Sequence, residues 1–373
     1  MTTLGAWLHT WDPFAIRFAG DFGLRWYGLS YIAGFVCAWL LLSLLAKRGR
    51  IAIAPERVPD AIFTLILGVL VGGRLGYIAF YQPSLLWTVY DHAPWWGALA
   101  ITEGGMASHG GILGVILASW WIARREKAPA MHILDCVAFA APIGLGLGRI
   151  ANFINGELLG RIVAMPGEPA PWWAVRYPQE LLTGAQPGVG HRPALAPEQE
   201  VALQSLLDRA RPPSMLDSAT DLGAYYEQAD ALVREVQRRT PEFVEGVAPL
   251  LSARHPSQLY QALAEGLILG LALVWIWRKP RTPGVIGAWF LIIYGVLRIL
   301  TEFVRLPDDH LQVQRIAGLS RGQWLSVAMI AGGAVVLAIV CRRGAPPMGG
   351  WAGAKDASAP SGSDAGASVS RAT

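Results

Sequence analysis

Charge is scarce in this chain. Only 16% of its 373 residues are Asp, Glu, Lys or Arg, against about 25% in an ordinary soluble domain. Mean hydropathy is +0.37, and a soluble globular protein is a poor fit to that balance. Cysteine is nearly absent too. Cys37, Cys136 and Cys341 each lie in an apolar run, so neither a disulfide framework nor metal-ligand spacing is present. No basic stripe interleaved with aromatics occurs and the net charge is only +4, which argues against a nucleic-acid partner. The sequence has no H-E-x-x-H, so zinc-protease chemistry lacks support, and nothing marks an activated serine. A divalent-metal phosphoesterase would want clustered aspartates near one membrane face, and there are none. What the chain has in quantity is 42 Gly and 16 Trp, residues suited to close packing between membrane helices and to bilayer interfaces.

These features predict an all-α integral membrane protein. A helix needs about 20 apolar residues to cross the hydrocarbon core, and stretches of that kind fall at 26–46, 61–80, 104–123, 131–153, 257–277, 283–303 and 322–341. The first 25 residues carry Asp12, Pro13 and Arg17 without a basic n-region, unlike a cleaved signal peptide. Lys47, Arg48, Arg50 and Arg57 follow the first span, Arg124, Arg125 and Lys127 the third, Arg278, Lys279 and Arg281 the fifth, and Arg342 and Arg343 the seventh. The loop 82–103 has no Lys or Arg. By the positive-inside rule the N-terminus is outside and the C-terminus cytoplasmic. The expected organisation is four helices in 1–154, a periplasmic head in 155–256, three helices in 257–343 and a disordered tail from 344 to 373. Within the head, 197–240 reads as one or two short amphipathic helices. No internal repeat relates the two halves, which counts against a secondary transporter.

Six charged residues fall inside the spans: Arg74, Asp135, Arg149, Glu265, Arg298 and Glu302. Each costs at least about 2.5 kcal/mol at a helix centre, which makes an intramembrane charge a functional candidate. Bland readings stand beside each. Asp135 is near the cytoplasmic end, Arg298 and Glu302 are four apart and can neutralise each other, and Arg74 and Glu265 can pair across helices. The topology nevertheless puts Arg74, Arg149 and Arg298 in the outer halves of their helices, with Tyr27 and His109 at the same depth. Convergence of five polar groups on one depth points to a site for an anionic lipid head group, because guanidinium groups offer planar, bidentate donors to phosphate. Arg149, Asn152 and Asn155 repeat at three, and Tyr294, Arg298 and Glu302 at four, as two stripes that belong in a bundle interior. His109, with an ordinary pKa near 6.5, is the natural proton acceptor; a packing histidine beside Gly110 and Gly111 is the alternative.

The stretch 144–161, GLGLGRIANFINGELLGR, closely resembles the signature of the prolipoprotein diacylglyceryl transferase family. Supporting segments occur in order: Arg25-Trp-Tyr27-Gly28-Leu, Gly72-Gly73-Arg74, Gly104-Gly105-Met106 with Ser108-His109-Gly110-Gly111, Arg254-His255-Pro-Ser-Gln258-Leu-Tyr260, and Tyr294 to Glu302. The resemblance implies a seven-span enzyme of the bacterial inner membrane, its active site towards the periplasmic leaflet. Such an enzyme moves the sn-1,2-diacylglyceryl group from phosphatidylglycerol to the lipobox cysteine of a prolipoprotein signal peptide, releasing glycerol 1-phosphate. It implies importance for Tyr27, His109, Arg149, Asn152, Glu157, Gly160, Tyr294, Arg298 and Glu302. In that chemistry a thiolate attacks the glyceryl C3 carbon while a phosphate leaves. His109 would activate the thiol, Arg149 and Arg298 would hold the phosphate, and Glu302 would orient Arg298. Asn152 and Tyr27 would shape the head-group pocket, and no metal or redox cofactor is required. Segment 173–179 matches the family, whereas about 184–252 looks like an insertion, either a docking element or neutral elaboration. The rival reading is a membrane protein that binds or transports an anionic lipid without catalysis.

Overall fold

The computed structural model describes residues 5–19, 22–101, 104–182, 192–211, 221–306 and 318–351. The long apolar runs become helices: α1 (Trp26–Lys47), α2 (Val58–Phe80), α3 (Ser108–Glu126), α4 (Ala130–Asn155), α8 (Ser257–Gln261) continuing through a π-helical stretch (Ala262–Ile268) into α9 (Leu269–Ile276), α10 (Val285–Glu302) and α11 (Arg321–Arg343). Between α4 and α8 lie the head helices α5 (Pro197–Ala210), α6 (Asp221–Gln237) and α7 (Pro241–Val247). Six helices are long and apolar enough to cross a membrane, among the described residues. The exception among the expected spans is α3. It has 19 residues, includes Ser108, His109 and Ser119, and ends on Arg124, Arg125 and Glu126.

Glycine explains how α3 nevertheless packs. Gly68, Gly72 and Gly76 form one stripe on α2, and Gly110 and Gly114 with Ala118 form the facing stripe on α3. A Cβ at Gly76 would sit 2.7 Å from Gly110 Cα, and one at Gly68 2.7 Å from Gly114 O. The two backbones therefore touch, as small-xxx-small spacing allows. At the other end of the bundle Asp135 is buried rather than reaching water. Its carboxylate accepts from Gly284 N and Gly287 N, both at 2.7 Å, and so caps the positive end of α10.

An all-α expectation omits two small sheets. One is the hairpin of β2 (Phe14–Ala19) with β3 (Phe22–Arg25). The other runs in the order β1 (Trp7–Leu8), β5 (Val175–Arg176), β6 (Ala253–Arg254), β4 (Ile162–Ala164), with β1 parallel to β5 and the other pairs antiparallel. It ties the segment leaving α4 to the segment entering α8. Its two buried arginines find partners: Arg254 Nε donates to Glu180 Oε2 at 2.9 Å, and Arg176 donates to the Leu251 and Glu168 carbonyls. His9 is fully buried, with Nε2 2.8 Å from Phe153 O, and burial lowers its pKa from 6.5 to about 4.

Beside the sheet, Leu203, Leu206 and Leu207 of α5 pack with Leu232 and Val236 of α6 and Phe243 and Val247 of α7 around Leu181 and Leu251. Segment 197–240 thus holds two helices, as expected, and α7 joins them around a core of their own. Residues 183–191 and 212–220 of the expected insertion lie outside the described residues. The expected disordered tail also needs correction at its start. Arg281 and Met348 exchange backbone hydrogen bonds of 2.9 and 2.8 Å, and Trp351 packs edge-on to Phe139. The rest of that tail, 352–373, lies outside the described residues.

Candidate active site

One ionic cluster crosses the interior where α4, the π-helical stretch and α10 meet. Arg149 Nε donates to Glu265 Oε2 at 2.9 Å, between side chains 18% and 0% exposed. Tyr294 lies within electrostatic reach of Arg149, Glu265 and Arg298. Arg298 Nη1 stands 2.7 Å from Glu302 Oε2, close enough for charge pairing though not aligned as a hydrogen bond. Arg305 Nη1 is 3.7 Å from the same oxygen, and Ser320 Oγ donates to Glu302 Oε1 at 3.3 Å. Three guanidinium groups, those of Arg149, Arg298 and Arg305, thus stand around the carboxyl groups of Glu265 and Glu302. The surplus positive charge, in a low-dielectric setting, is suited to a phosphate.

The stripes expected on α4 and α10 do face this interior, because residues three and four apart share a helix face. Tyr27, in the first turn of α1, is within electrostatic reach of Arg149 and Glu157. Asn152 is buried one turn beyond Arg149. Gly156 ends α4 in a left-handed conformation at φ 69°, a conformation open to glycine at little cost. The chain then turns through Glu157, whose exposed carboxylate accepts from Asn155 Nδ2 at 3.0 Å.

That signature loop is strapped down on two sides. Gln258 Nε2 donates to Glu157 O, Ser257 Oγ to Leu158 O at 3.0 Å, and Arg254 Nη1 to Gly160 O at 3.2 Å. Leu306 N reaches Leu159 O at 3.3 Å and Arg161 N reaches Val304 O at 3.0 Å. A Cβ on Gly160 would collide with the His255 carbonyl, so Gly160 acts through close approach rather than ligand contact. Burial, then the Arg161 charge, push the His255 imidazole below its ordinary range, which leaves it neutral beside the loop.

Two expected members are elsewhere. Arg74 is buried and donates to four carbonyls: Nε to Ala98 O at 2.9 Å, Nη1 to Gly104 O at 2.7 Å and Gly105 O at 3.1 Å, and Nη2 to Gly97 O. It is a loop clamp. Its donors are taken up by main-chain carbonyls, and Glu265 pairs with Arg149 instead. Depth alone had suggested otherwise, but depth says nothing about which way a helix face points. His109 is exposed in the first turn of α3, on the same face as exposed Ile112, Leu113 and Ile116, and makes no hydrogen bond or ion pair among the described residues. The structure does not join it to the arginine cluster. The Arg74 clamp does hold Gly104 and Gly105, at φ 90° and 82°, just before the helix that carries it. Missed by the sequence reading were Arg305, outside the last apolar window, and the pairing of Glu265 with Arg149. The three-residue spacing of Glu302 and Arg305 was the available signal for the former.

Residues 13–339 match the family described as prolipoprotein diacylglyceryl transferase. The chain is 42% identical over 353 residues to the phosphatidylglycerol–prolipoprotein diacylglyceryl transferase of Bdellovibrio bacteriovorus, covering 92% of this chain and 97% of that one. It is 37% identical to the protein of the same name from Neisseria gonorrhoeae, covering 88% and 95%. Against the one from Geobacter sulfurreducens it is 36% identical, covering 90% and 98%.

Proposed function

Since the chain belongs to the prolipoprotein diacylglyceryl transferase family, we propose that it transfers the sn-1,2-diacylglyceryl group of phosphatidylglycerol to the lipobox cysteine of prolipoproteins. The observation that carries this reading is the interior cluster of Arg149, Tyr294 and Arg298 with its two buried carboxylates. In the reaction the cysteine S–H gives up its proton, the sulfur forms a bond to glyceryl C3, and the C3–O bond to phosphate breaks. The electron pair leaves with glycerol 1-phosphate, and the product is a thioether. Arg149 and Arg298 meet the charge that grows on the departing phosphate, which is where preorganised donors lower a barrier most. Glu302 orients Arg298, Asn152, Glu157 and Tyr27 border the head group, and Gly160 lets the loop seat. His109, whose ring nitrogens have no hydrogen-bond partner among the described residues, accepts the thiol proton. This step uses no cofactor.

The same reading places the protein in the bacterial inner membrane with seven spans, α3 being the seventh, carried on the glycines of α2. The basic residues ending α1, α3, α9 and α11 then lie on the cytoplasmic side, and the site opens to the periplasmic leaflet. Residues 155–256 form the periplasmic head between helices 1–154 and 257–343.

The test is mass spectrometry of a lipobox peptide incubated with the purified protein and phosphatidylglycerol. A diacylglyceryl mass shift on cysteine, matched by glycerol 1-phosphate, is expected. Arg149→Ala and Arg298→Ala should abolish it while the protein still inserts. Full turnover in either variant removes the phosphate-clamp assignment, and retained turnover in His109→Gln removes the base assignment.

A further inference from the structure

Glu265 is 0% exposed within the bundle, and it stands inside the π-helical stretch Ala262–Ile268. A π turn offsets the side chains that follow it from regular helical positions, and such turns recur at functional sites. Next to it, Gly266 has no space for a side chain: a Cβ there would fall 2.7 Å from Gly146 Cα. Helix backbones therefore meet at Gly146, one turn before Arg149. The displaced turn and the bare contact together bring the carboxylate to the guanidinium.

The form of the contact is informative. A carboxylate that only neutralised Arg149 would gain most from the two-bond fork geometry. Glu265 instead accepts from Nε through Oε2 at 2.9 Å, while its Oε1 has no hydrogen-bond partner among the described residues. A guanidinium held by Nε has its rotation fixed and its terminal nitrogens turned away from the holder. One of the groups around them is the Tyr294 hydroxyl. We infer that Glu265 is a positioning residue, resting on the transferase reading above: it fixes Arg149 by Nε so that the terminal nitrogens address the lipid phosphate. Its π turn is the device that delivers it.

A purely structural ion pair is the competing account, so the test needs a readout that folding alone does not move. Transfer kinetics are measured in phosphatidylglycerol proteoliposomes with a lipobox peptide, alongside the thermal midpoint of each variant. Glu265→Gln keeps an oxygen acceptor and should stay within about threefold of the parent kcat. Glu265→Met keeps the volume without an acceptor and should lower kcat by about 100-fold, the scale of a misplacement near 1 Å. Its KM for phosphatidylglycerol should move by less than about threefold, as expected for an interaction made in the transition state. In an Arg149→Lys background, where no Nε exists to be held, Glu265→Met should produce no further loss.

The proposal is overturned if folded Glu265→Met keeps the parent kcat, if Gln loses as much as Met, or if the Met loss multiplies with that of Arg149→Lys. Should Glu265→Met not fold, Glu265→Asp replaces it. The shorter acid pulls on Nε and should cost about tenfold in kcat, and parent rates in both Asp and Gln overturn the inference. An inactive parent protein brings down the transferase reading and this inference with it, whereas an active parent with an indifferent Glu265→Met brings down this inference alone.

Discussion

Replacing Gly76 by alanine puts the seam between α2 and α3 under direct strain. The new Cβ would lie 2.7 Å from Gly110 Cα and 3.1 Å from Gly110 N, about 0.7 Å inside the 3.4 Å at which ordinary contact begins. Both clashing atoms are backbone, so no side-chain end can swing aside, and the helices must part at the turn that carries His109. Removing a glycine from a helix interior is worth about 1 kcal/mol, but overpacking of this kind costs about 1–3 kcal/mol. The net expectation is a loss of up to about 2 kcal/mol. Gly332→Ala in α11 is the matched control: nothing lies within 4 Å of its Cβ, so only the propensity gain remains, and stability should rise by about 0.5–1 kcal/mol. Thermal unfolding in one detergent, followed by tryptophan fluorescence, reads the sign of each. If His109 takes the thiol proton, Gly76→Ala should also lower kcat about tenfold, since a 1 Å error near the chemistry costs about 100-fold. Equal signs for the two alanines, or a Gly76→Ala variant as stable and active as the parent, would refute the packing argument.

Two further perturbations separate holding the fold from doing the chemistry. Arg74→Lys strips the buried carbonyls of Ala98, Gly97, Gly104 and Gly105 of most of their donors; with charge-assisted bonds worth about 1.5–3 kcal/mol each, the thermal midpoint should fall sharply. A variant that melts like the parent yet loses transfer would return Arg74 to the phosphate. His9 titrates at about 4 in the fold against 6.5 when exposed, so between those values the unfolded chain binds the extra proton. Stability should therefore be flat above pH 6.5 and fall towards pH 4 by at most about 3 kcal/mol. His9→Gln should flatten that slope, and an unchanged slope would assign the acid sensitivity to other groups.

The membrane helices were legible because each is a long apolar run, and their observed ends lie within a few residues of the expected ones. The central sheet was not. Its strands have two or three residues each and its pairs join Trp7 to Val175 and Arg176 to Ala253, so no local alternation marks them. At the site, helical periodicity set Tyr294 with Arg298 and Glu302 along one face of α10, where Arg298 and Glu302 stand 2.7 Å apart. Pairing between helices depends on rotation and on the π offset, which leave no trace in composition. That is why Glu265 was matched with Arg74 instead of Arg149. The acceptors of Arg74 are main-chain carbonyls, which every residue carries, so no residue type could announce them.

The glycine seam also bears on how the protein is made. As it leaves the ribosome, α3 has little of its own to hold it in lipid: it starts on Ser108 and His109, carries three glycines and closes on two arginines. Its affinity for α2 comes from backbone contact, which exists only when both segments lie side by side. On the seven-span reading proposed above, the two enter the bilayer as one hairpin, α2 first and α3 against it, with the Arg74-clamped loop as the closed end. Insertion of the helix that bears His109 is in this sense templated by the helix made just before it.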